Sequence, residues 1–474
     1  SPLHPNVKAS FSFLFQASPL SAILLAGCVS NPAASLPAVH AQLATRTDAR
    51  AGWPVTAAES AAADRAVADL LQNDLTPEAA TQIAVFNNRM LRATFEDIGL
   101  SQADVVAASK LHNPTLGASA RWPHDRPRGP NVGVSLAADL LDNLLIPLRR
   151  RLAQDQLGQT GQRVAHAVLS LVAEVKSAVF SFQAQQQFRA RLTAILEVSE
   201  AAADLAQRQY DAGNINRLEL AHVQLSAQKA RLELARTNTQ LRAEREKLNR
   251  LLGLAGAETA WKISAELPAL PPTDLLDEPL EEIALGQRLD LAAAQTRVAL
   301  AERALRLKEK TRLLPASVNL GVETERETDG SRLTGPSLEI ALPIFDQGQA
   351  ELMRLQAELR RSRSLYEGMV IDVRSEVREA REAVRAARET VAAFTGTLLP
   401  HRRLLLHETL LHYNAMQKSN YELLAAREQE LLAEREAIEA HRDYWIARAQ
   451  LERALGGRLR GSAAPESAGT TTTG

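Results

Sequence analysis

One cysteine, Cys28, is present in 474 residues. That excludes a disulfide framework and a cysteine-based metal centre. Aromatic residues make up only 4% of the chain, while hydrophobic residues reach 45%. Such a mix, rich in alanine, leucine, arginine and glutamate, belongs to long packed helices. Neither sign of charge prevails, with 55 Lys+Arg against 56 Asp+Glu. Neither the basic footprint of a nucleic-acid binder nor a polyacidic tail is implied. The apolar run from Phe11 to Gly27 is broken by Gln16, Ser18 and Pro19. It is too short and too interrupted for a secure spanning helix.

Helix breakers are also scarce where they would matter most. From Gln349 to Gly456 the chain is interrupted by Pro400, Gly368 and Gly396 alone. Within it Val370, Val373, Val377, Ala380, Val384, Ala387, Val391, Phe394 and Leu398 step by three and four. This heptad stripe asks for another helix along its seam. Leu424, Leu431, Ile438 and Trp445 then recur every seven residues. At a rise of about 1.5 Å per residue, the arm from Gln349 to Leu411 is a rod of roughly 95 Å.

The amino terminus reads as an export signal over residues 1–27: Lys8, an apolar stretch, then small residues. Leu25-Ala26-Gly27-Cys28 resembles the lipobox of bacterial lipoproteins. That resemblance implies a mature chain beginning at Cys28 and anchored through acyl groups, diacylglycerol and palmitate. Residues 28–75, rich in Ala, Pro, Ser and Thr, read as an extended tether with one short helix near Ala57–Leu71.

The remainder is one pattern written twice. Thr76-Pro77-Glu78 starts a helix that the spacing carries to Leu111, where His112-Asn113-Pro114 ends it. Alternation at Leu116, Ala118, Ala120 and Trp122, and again at Val132, Val134, Leu136 and Ala138, predicts a β-hairpin over 114–139. A long helical hairpin follows over 147–252, broken at Tyr210-Asp211-Ala212-Gly213-Asn214. After the linker 267–279 the order returns. A helix covers Leu280–Leu314, a β-hairpin 316–342 and a helical hairpin 348–455. The two repeats span 76–266 and 280–457, and 458–474 reads as a disordered tail. Gly213 and Met416 occupy matching places in the two breaks. A duplication of this size decides the fold class.

Strands of about nine residues suit a tilted transmembrane segment, and a free edge cannot sit in hydrocarbon. Four strands cannot enclose a pore, so a membrane reading requires several chains. A small soluble sheet joining coiled coils is the rival account.

Several short motifs carry a resemblance. They are Leu75-Thr76 with Ala79, Asn87-Asn88 with Leu91, Asn113-Pro114-Thr115-Leu116 and Arg288-Leu289-Asp290-Leu291. Between the third and fourth of these stands Tyr210-Asp211-Ala212-Gly213 with Leu218-Glu219-Leu220, and after the fourth come Pro343-Ile344-Phe345-Asp346-Gln347-Gly348 and Ala454-Leu455-Gly456-Gly457. In this order and spacing, from Leu75 to Leu459, the chain resembles the outer membrane efflux protein family, the TolC-like channels of tripartite pumps. Overall it looks most like members from heavy-metal resistance systems. The resemblance implies a mostly α fold with transmembrane β: four strands per chain in a homotrimeric twelve-stranded barrel, joined to a long periplasmic α-helical barrel. It implies a lipid-anchored outer membrane protein that exports metal cations or drugs passively. Its partners would be a periplasmic adaptor and an inner-membrane RND-type pump, without cofactor, resident metal or catalysis. The alternative is a soluble periplasmic coiled-coil adaptor or scaffold.

The same resemblance places adaptor docking at the tips, with Tyr210, Gly213, Leu218, Met416 and Ser419. It lines the periplasmic entrance with Glu219 and Glu422. Arg217 and Lys418 beside them are candidate partners across adjacent hairpins. Rings of such acids would focus cations. The plainer account makes both glutamates helix-start residues, where negative charge is favourable anyway. Methionine is disfavoured at φ > 0, which leaves open whether the second tip turns like the first. Arg378–Glu382 and Arg385–Glu389 are expected as i,i+4 pairs on a solvated face. His407 and His412, five apart, do not share a helix face and read as exposed histidines.

Overall fold

The computed structural model describes residues 36–459, apart from Trp53, Val55, Pro123, residues 125–128, Leu275 and Ala316. The expected leader, the lipobox cysteine Cys28 and residues 460–474 lie outside the described residues.

The segment expected as an extended tether with one short helix carries that helix, α2 (Ala57–Leu71), and a second ahead of it, α1 (Leu36–Ala44). α1 is no tether: Val39 and Leu43 are buried in one core cluster with Val164 and Val168. The first repeat continues with α3 (Pro77–Asn87), α4 (Arg89–Ser109), β1 (Thr115–Arg121) and β2 (Asn131–Asp139). It ends with the short α5 (Leu140–Leu144), α6 (Ile146–Asp211) and α7 (Arg217–Leu252). The second repeat comprises α8 (Leu280–Gln287), α9 (Leu289–Thr311), β3 (Val318–Arg326) and β4 (Arg332–Ile340). It ends with α10 (Gln349–Ala393), α11 (Leu399–Asn414) and α12 (Asn420–Leu455).

The duplication holds to the residue along the helical hairpins. The arm from Ile146 to Asp211 has its counterpart from Gln349 to Asn414, and α7 has its counterpart in α12. Each arm is roughly 100 Å long at the usual rise per residue. The first arm is unbroken. In the second, a π-helical turn over Phe394–Leu398 joins α10 to α11. Pro400 lies just beyond, and a proline cannot donate to the i−4 carbonyl. The extra residue of a π turn relieves that conflict without stopping the helix. Side chains take up nearby carbonyls: Thr395 Oγ1 donates to Val391 O at 2.8 Å, and His401 Nδ1 lies 2.8 Å from Thr397 O.

Both shorter arms break where a single helix was expected. Asn88 (ψ 115°) separates α3 from α4, and Arg288 (ψ 121°) separates α8 from α9. Asn88 caps α4, its side chain accepting from Leu91 N–H at 2.9 Å. The cause of both breaks is a close approach by the end of the long hairpin. A Cβ on Gly253 would lie 2.5 Å from Asn87 O, and one on Gly456 2.9 Å from Arg288 Cα. Asn87 and Asn88 then donate to Gly253 O and Leu251 O at 2.8 and 2.9 Å, satisfying the carboxyl end of α7. In the second repeat Arg288, 7% exposed, pairs instead with Asp290 at 2.6 Å and with Glu376.

The core is a set of clusters strung along the arms. Val175, Val179, Phe182, Leu248 and Trp261 close the first repeat, and Val377, Val384, Tyr444 and Leu451 the second. Stacking of Phe180 on Trp445 at 5.3 Å joins them. Asp274 pins the linker. Its side chain is 2% exposed and accepts from Arg388 Nε at 2.7 Å, Tyr444 OH at 2.8 Å and Arg448 Nη1 at 3.0 Å. The expected surface pairs form differently. Arg378 reaches Glu281 at 3.2 Å rather than Glu382, and Arg385 takes Glu382 at 3.4 Å rather than Glu389. Arg378 takes a carboxylate on the packed helix α8, whereas Arg385 stays on its own helix and pairs at i,i−3 instead of i,i+4.

Candidate functional site

The two β-hairpins pair through β2 and β3 into one antiparallel sheet of order β1-β2-β3-β4. Residues directly opposite share a face. One face carries the rows Leu116–Leu136–Val322–Pro336, Ala118–Val134–Thr324–Thr334 and Ala138–Leu320–Leu338. Its large apolar members Leu116, Val132, Val134, Leu136, Leu320, Val322, Leu338 and Ile340 are 40–74% exposed. The other face carries Gly117–Ser135–Glu323–Gly335, Ser119–Gly133–Glu325–Leu333 and Asp139–Asn319–Glu339. It is small, polar and acidic. A small residue is needed at Gly321 on this face, where a Cβ would lie 2.7 Å from the backbone Leu136 O.

Exposed apolar rows of this extent are costly in water, and the alternation matches a strand with lipid on one side and water on the other. Trp122 (70% exposed) and Phe345 (92% exposed) stand beyond opposite ends of the sheet, where membrane interfaces favour aromatic rings. β1 and β4 each keep one edge without a strand partner among the described residues. α6 also contains a stretch apolar enough to cross a membrane, but 56% of that window is buried within the chain.

At the far end of the arms the two tips turn alike. Gly213 (φ 77°) and Met416 (φ 59°) both take the left-handed conformation. Gly213 N–H donates to Tyr210 O at 2.9 Å and Asn214 N–H to Gln209 O at 2.8 Å. Met416 N–H donates to Tyr413 O and Gln417 N–H to His412 O, both at 2.9 Å. These are two Schellman closures of the same kind. Met416 therefore makes the turn that glycine makes, at a cost of about 1–2 kcal/mol, and its side chain is 95% exposed. Asn216 caps Glu219 N–H at 2.9 Å, and Ser419 caps Glu422 N–H at 3.3 Å.

The entrance candidates divide. Glu422 accepts from Lys418 Nζ at 2.5 Å and from Ser419 N–H at 2.9 Å. These bonds, Lys418 first, hold its carboxyl at about 2. The Lys418 link thus runs within one hairpin, not across two as expected. Glu219 and Arg217 are both exposed, and neither makes an ion pair among the described residues. Leu218 (67% exposed) on the first tip and Tyr421 (60% exposed) on the second add apolar surface to that of Met416. The tips touch where the His222 ring meets the edge of Tyr421 at 5.1 Å, beside a cluster of Ala206, Leu220, Val223 and Leu424.

The acids on the polar sheet face, Glu323, Glu325 and Glu339, were not singled out from the sequence. The alternation at Asn319, Gly321 and Glu323 held the signal; strand register was needed to align it with Ser135 and Gly117.

Fold and faces together define a class: a duplicated chain joining a four-stranded sheet, apolar and exposed on one side, to helical hairpins roughly 100 Å long. Comparison with known proteins agrees. The family model "Outer membrane efflux protein" matches residues 80–254. The cobalt-zinc-cadmium resistance protein CzcC of Cupriavidus metallidurans is 26% identical over 290 residues, 59% of this chain and 65% of that one. The chain spans 65% of the length of the curated relatives it matches. Crystal structures of CusC superpose with a TM-score of 0.70 at 18% identity, covering 81% of this chain and 92% of CusC. The Campylobacter jejuni CmeC outer membrane channel superposes with a TM-score of 0.69 at 15% identity, covering 88% and 91%. The chain therefore resembles the outer membrane efflux protein family over the matched residues and has the TolC-like fold of these channels.

Proposed function

We propose that the chain is the outer membrane component of a tripartite RND-type efflux pump, a passive duct without catalysis. The observation that carries this reading is the sheet: one exposed apolar face, one small polar face and two edges without a strand partner among the described residues. In lipid those edges must pair with other copies. Each chain runs β1 to β4 with alternating direction, so β4 of one copy meets β1 of the next antiparallel. Three copies close a twelve-stranded barrel, and the arms continue it as a periplasmic helical tube. The proposed mature chain is lipid-anchored at Cys28. The repeats over 76–266 and 280–457 are the structural units, joined by the linker 267–279.

The tips, with Tyr210, Gly213, Leu218, Met416 and Ser419, dock a periplasmic adaptor. Exposed Leu218, Met416 and Tyr421 supply the apolar contact. Glu219 and Glu422 ring the entrance, with Arg217 and Lys418 beside them. Acids at the tips and on the polar sheet face make a path that favours cations. Together with the likeness to a cobalt-zinc-cadmium resistance protein, this supports metal cations as cargo ahead of drugs. The energy comes from the inner-membrane pump.

The test is gene disruption in the native host. Loss of cobalt, zinc and cadmium tolerance, restored by the intact gene, supports the reading. Sensitivity to drugs with unchanged metal tolerance redirects the cargo. A soluble periplasmic monomer on fractionation returns the chain to the adaptor or scaffold alternative.

A further inference from the structure

A groove lies between the first turns of α6 and the last turns of α9, beside the sheet. Its volume is about 630 Å³. Half-buried Leu148, Leu152 and Leu307 line it with apolar surface, and exposed Arg151, Arg306 and Lys310 stand over them. Arg303 and Asp155 pair across the groove from one helix to the other. The lining therefore holds four cations and one carboxylate, and that carboxylate is already paired. Arg306 has a carboxylate outside the lining, Glu302 at 3.7 Å. Arg151 and Lys310 make no ion pair among the described residues. The lining thus carries a net positive charge that an anion would offset.

The position gives the anion its chemistry. Leu148 follows the end of β2 by nine positions, and Lys310 precedes β3 by eight. At helical rise the groove lies within roughly 15 Å of the strand ends. At that end of the sheet Leu144 (73%), Leu313 (65%), Ile344 (65%) and Phe345 (92%) are all exposed. The apolar band of the sheet thus runs into the groove, and the cations begin where the band stops. A free phosphate would use only the cations and leave the leucines wet.

We propose that this groove binds an anionic phospholipid of the leaflet facing the helices. The phosphate sits among Arg151, Arg306 and Lys310, and an acyl chain lies on Leu148, Leu152 and Leu307. This rests on the membrane reading above. Such a lipid ties the two repeats together at the one level where barrel strands become tube helices.

The test uses the full chain extracted from membranes in mild detergent and examined by native mass spectrometry. Equal amounts of phosphatidylglycerol and phosphatidylethanolamine are offered. The wild type retains phosphatidylglycerol in preference, and the Arg151→Gln/Lys310→Gln variant loses that preference at least tenfold, from the usual contribution of surface cations to anionic-lipid binding. The Arg151→Lys/Lys310→Arg variant keeps it, which separates charge from misfolding. Equal retention of both lipids, unchanged retention in the glutamine variant, or displacement of the lipid by millimolar inorganic phosphate overturns the inference. Absence of the chain from the membrane fraction before lipid is added overturns the duct reading, and this inference with it. Membrane-extracted protein without lipid preference overturns the inference alone.

Discussion

Arginine at Val134 tests the apolar sheet face. Val134 sits in mid-sheet on the row Ala118–Val134–Thr324–Thr334 and is 42% exposed in the single chain. If that face meets lipid, an arginine near the midplane costs about 2–4 kcal/mol per copy. Three copies multiply this to roughly 6–12 kcal/mol per closed barrel. The control is Leu333→Arg. Leu333 lies one row away, a depth difference of about 3.4 Å, but on the polar face. It is directly opposite Glu325, so the new charge gains a cross-strand partner. Both variants are refolded from urea into phosphatidylcholine vesicles and read by heat-modifiable mobility in gels. Val134→Arg should fail to insert or shift its urea midpoint sharply downwards, and Leu333→Arg should fold as the wild type does. Equal behaviour of the two, or a worse outcome for Leu333→Arg, would refute the assignment of faces.

Asp274→Ala leaves Arg388 and Arg448 without their buried carboxylate, and should destabilise the fold by about 3–5 kcal/mol in chemical denaturation. Met416→Gly removes a left-handed methionine and should stabilise the second tip by roughly 1 kcal/mol, seen as slower hydrogen exchange at Gln417. Glu422 has a folded-state carboxyl at about 2, below its ordinary 4.5. Its capping interaction is therefore complete above pH 4.5 and lost as pH falls through about 2. In planar bilayers, cation preference should survive from pH 7 to pH 3 in Glu219→Gln and fall at neutral pH in Glu422→Gln. His441 is pushed below its usual range by burial, although its Nε2 bond to Pro268 O at 2.8 Å opposes this. Stability should thus fall as pH drops from about 6.5 towards its lowered value, and His441→Gln should flatten that part of the profile.

The architecture was legible because long helices advertise themselves. Heptad rows, the scarcity of Pro and Gly, and the matched breaks at Gly213 and Met416 are all local signals. The breaks at Asn88 and Arg288 were not legible, since neither residue is a helix breaker and each break answers to a glycine more than 160 positions away. α1 hid in an Ala/Pro-rich stretch, where only its packing on α6 reveals a helix. Met416 was misleading in the opposite sense. Its chemistry argues against the turn that tertiary context imposes. Charge pairing was the least visible layer: Arg378 passes over its own helix for Glu281, and Asp274 gathers its partners from two distant helices. At the site, the tips could be found from sequence, but the faces of the sheet needed the register of all four strands.

The central claim is that the free edges of β1 and β4 close on other copies in the membrane. Paired cysteines scanned along 116–120 of β1 and 334–338 of β4 test it in intact outer membranes, with oxidation and non-reducing gels as the readout. The account predicts disulfides between copies that build a ladder ending at three chains, formed only by pairs with one cysteine on each edge. Monomers linked within one chain, or no edge-to-edge disulfide at any pairing, would contradict it.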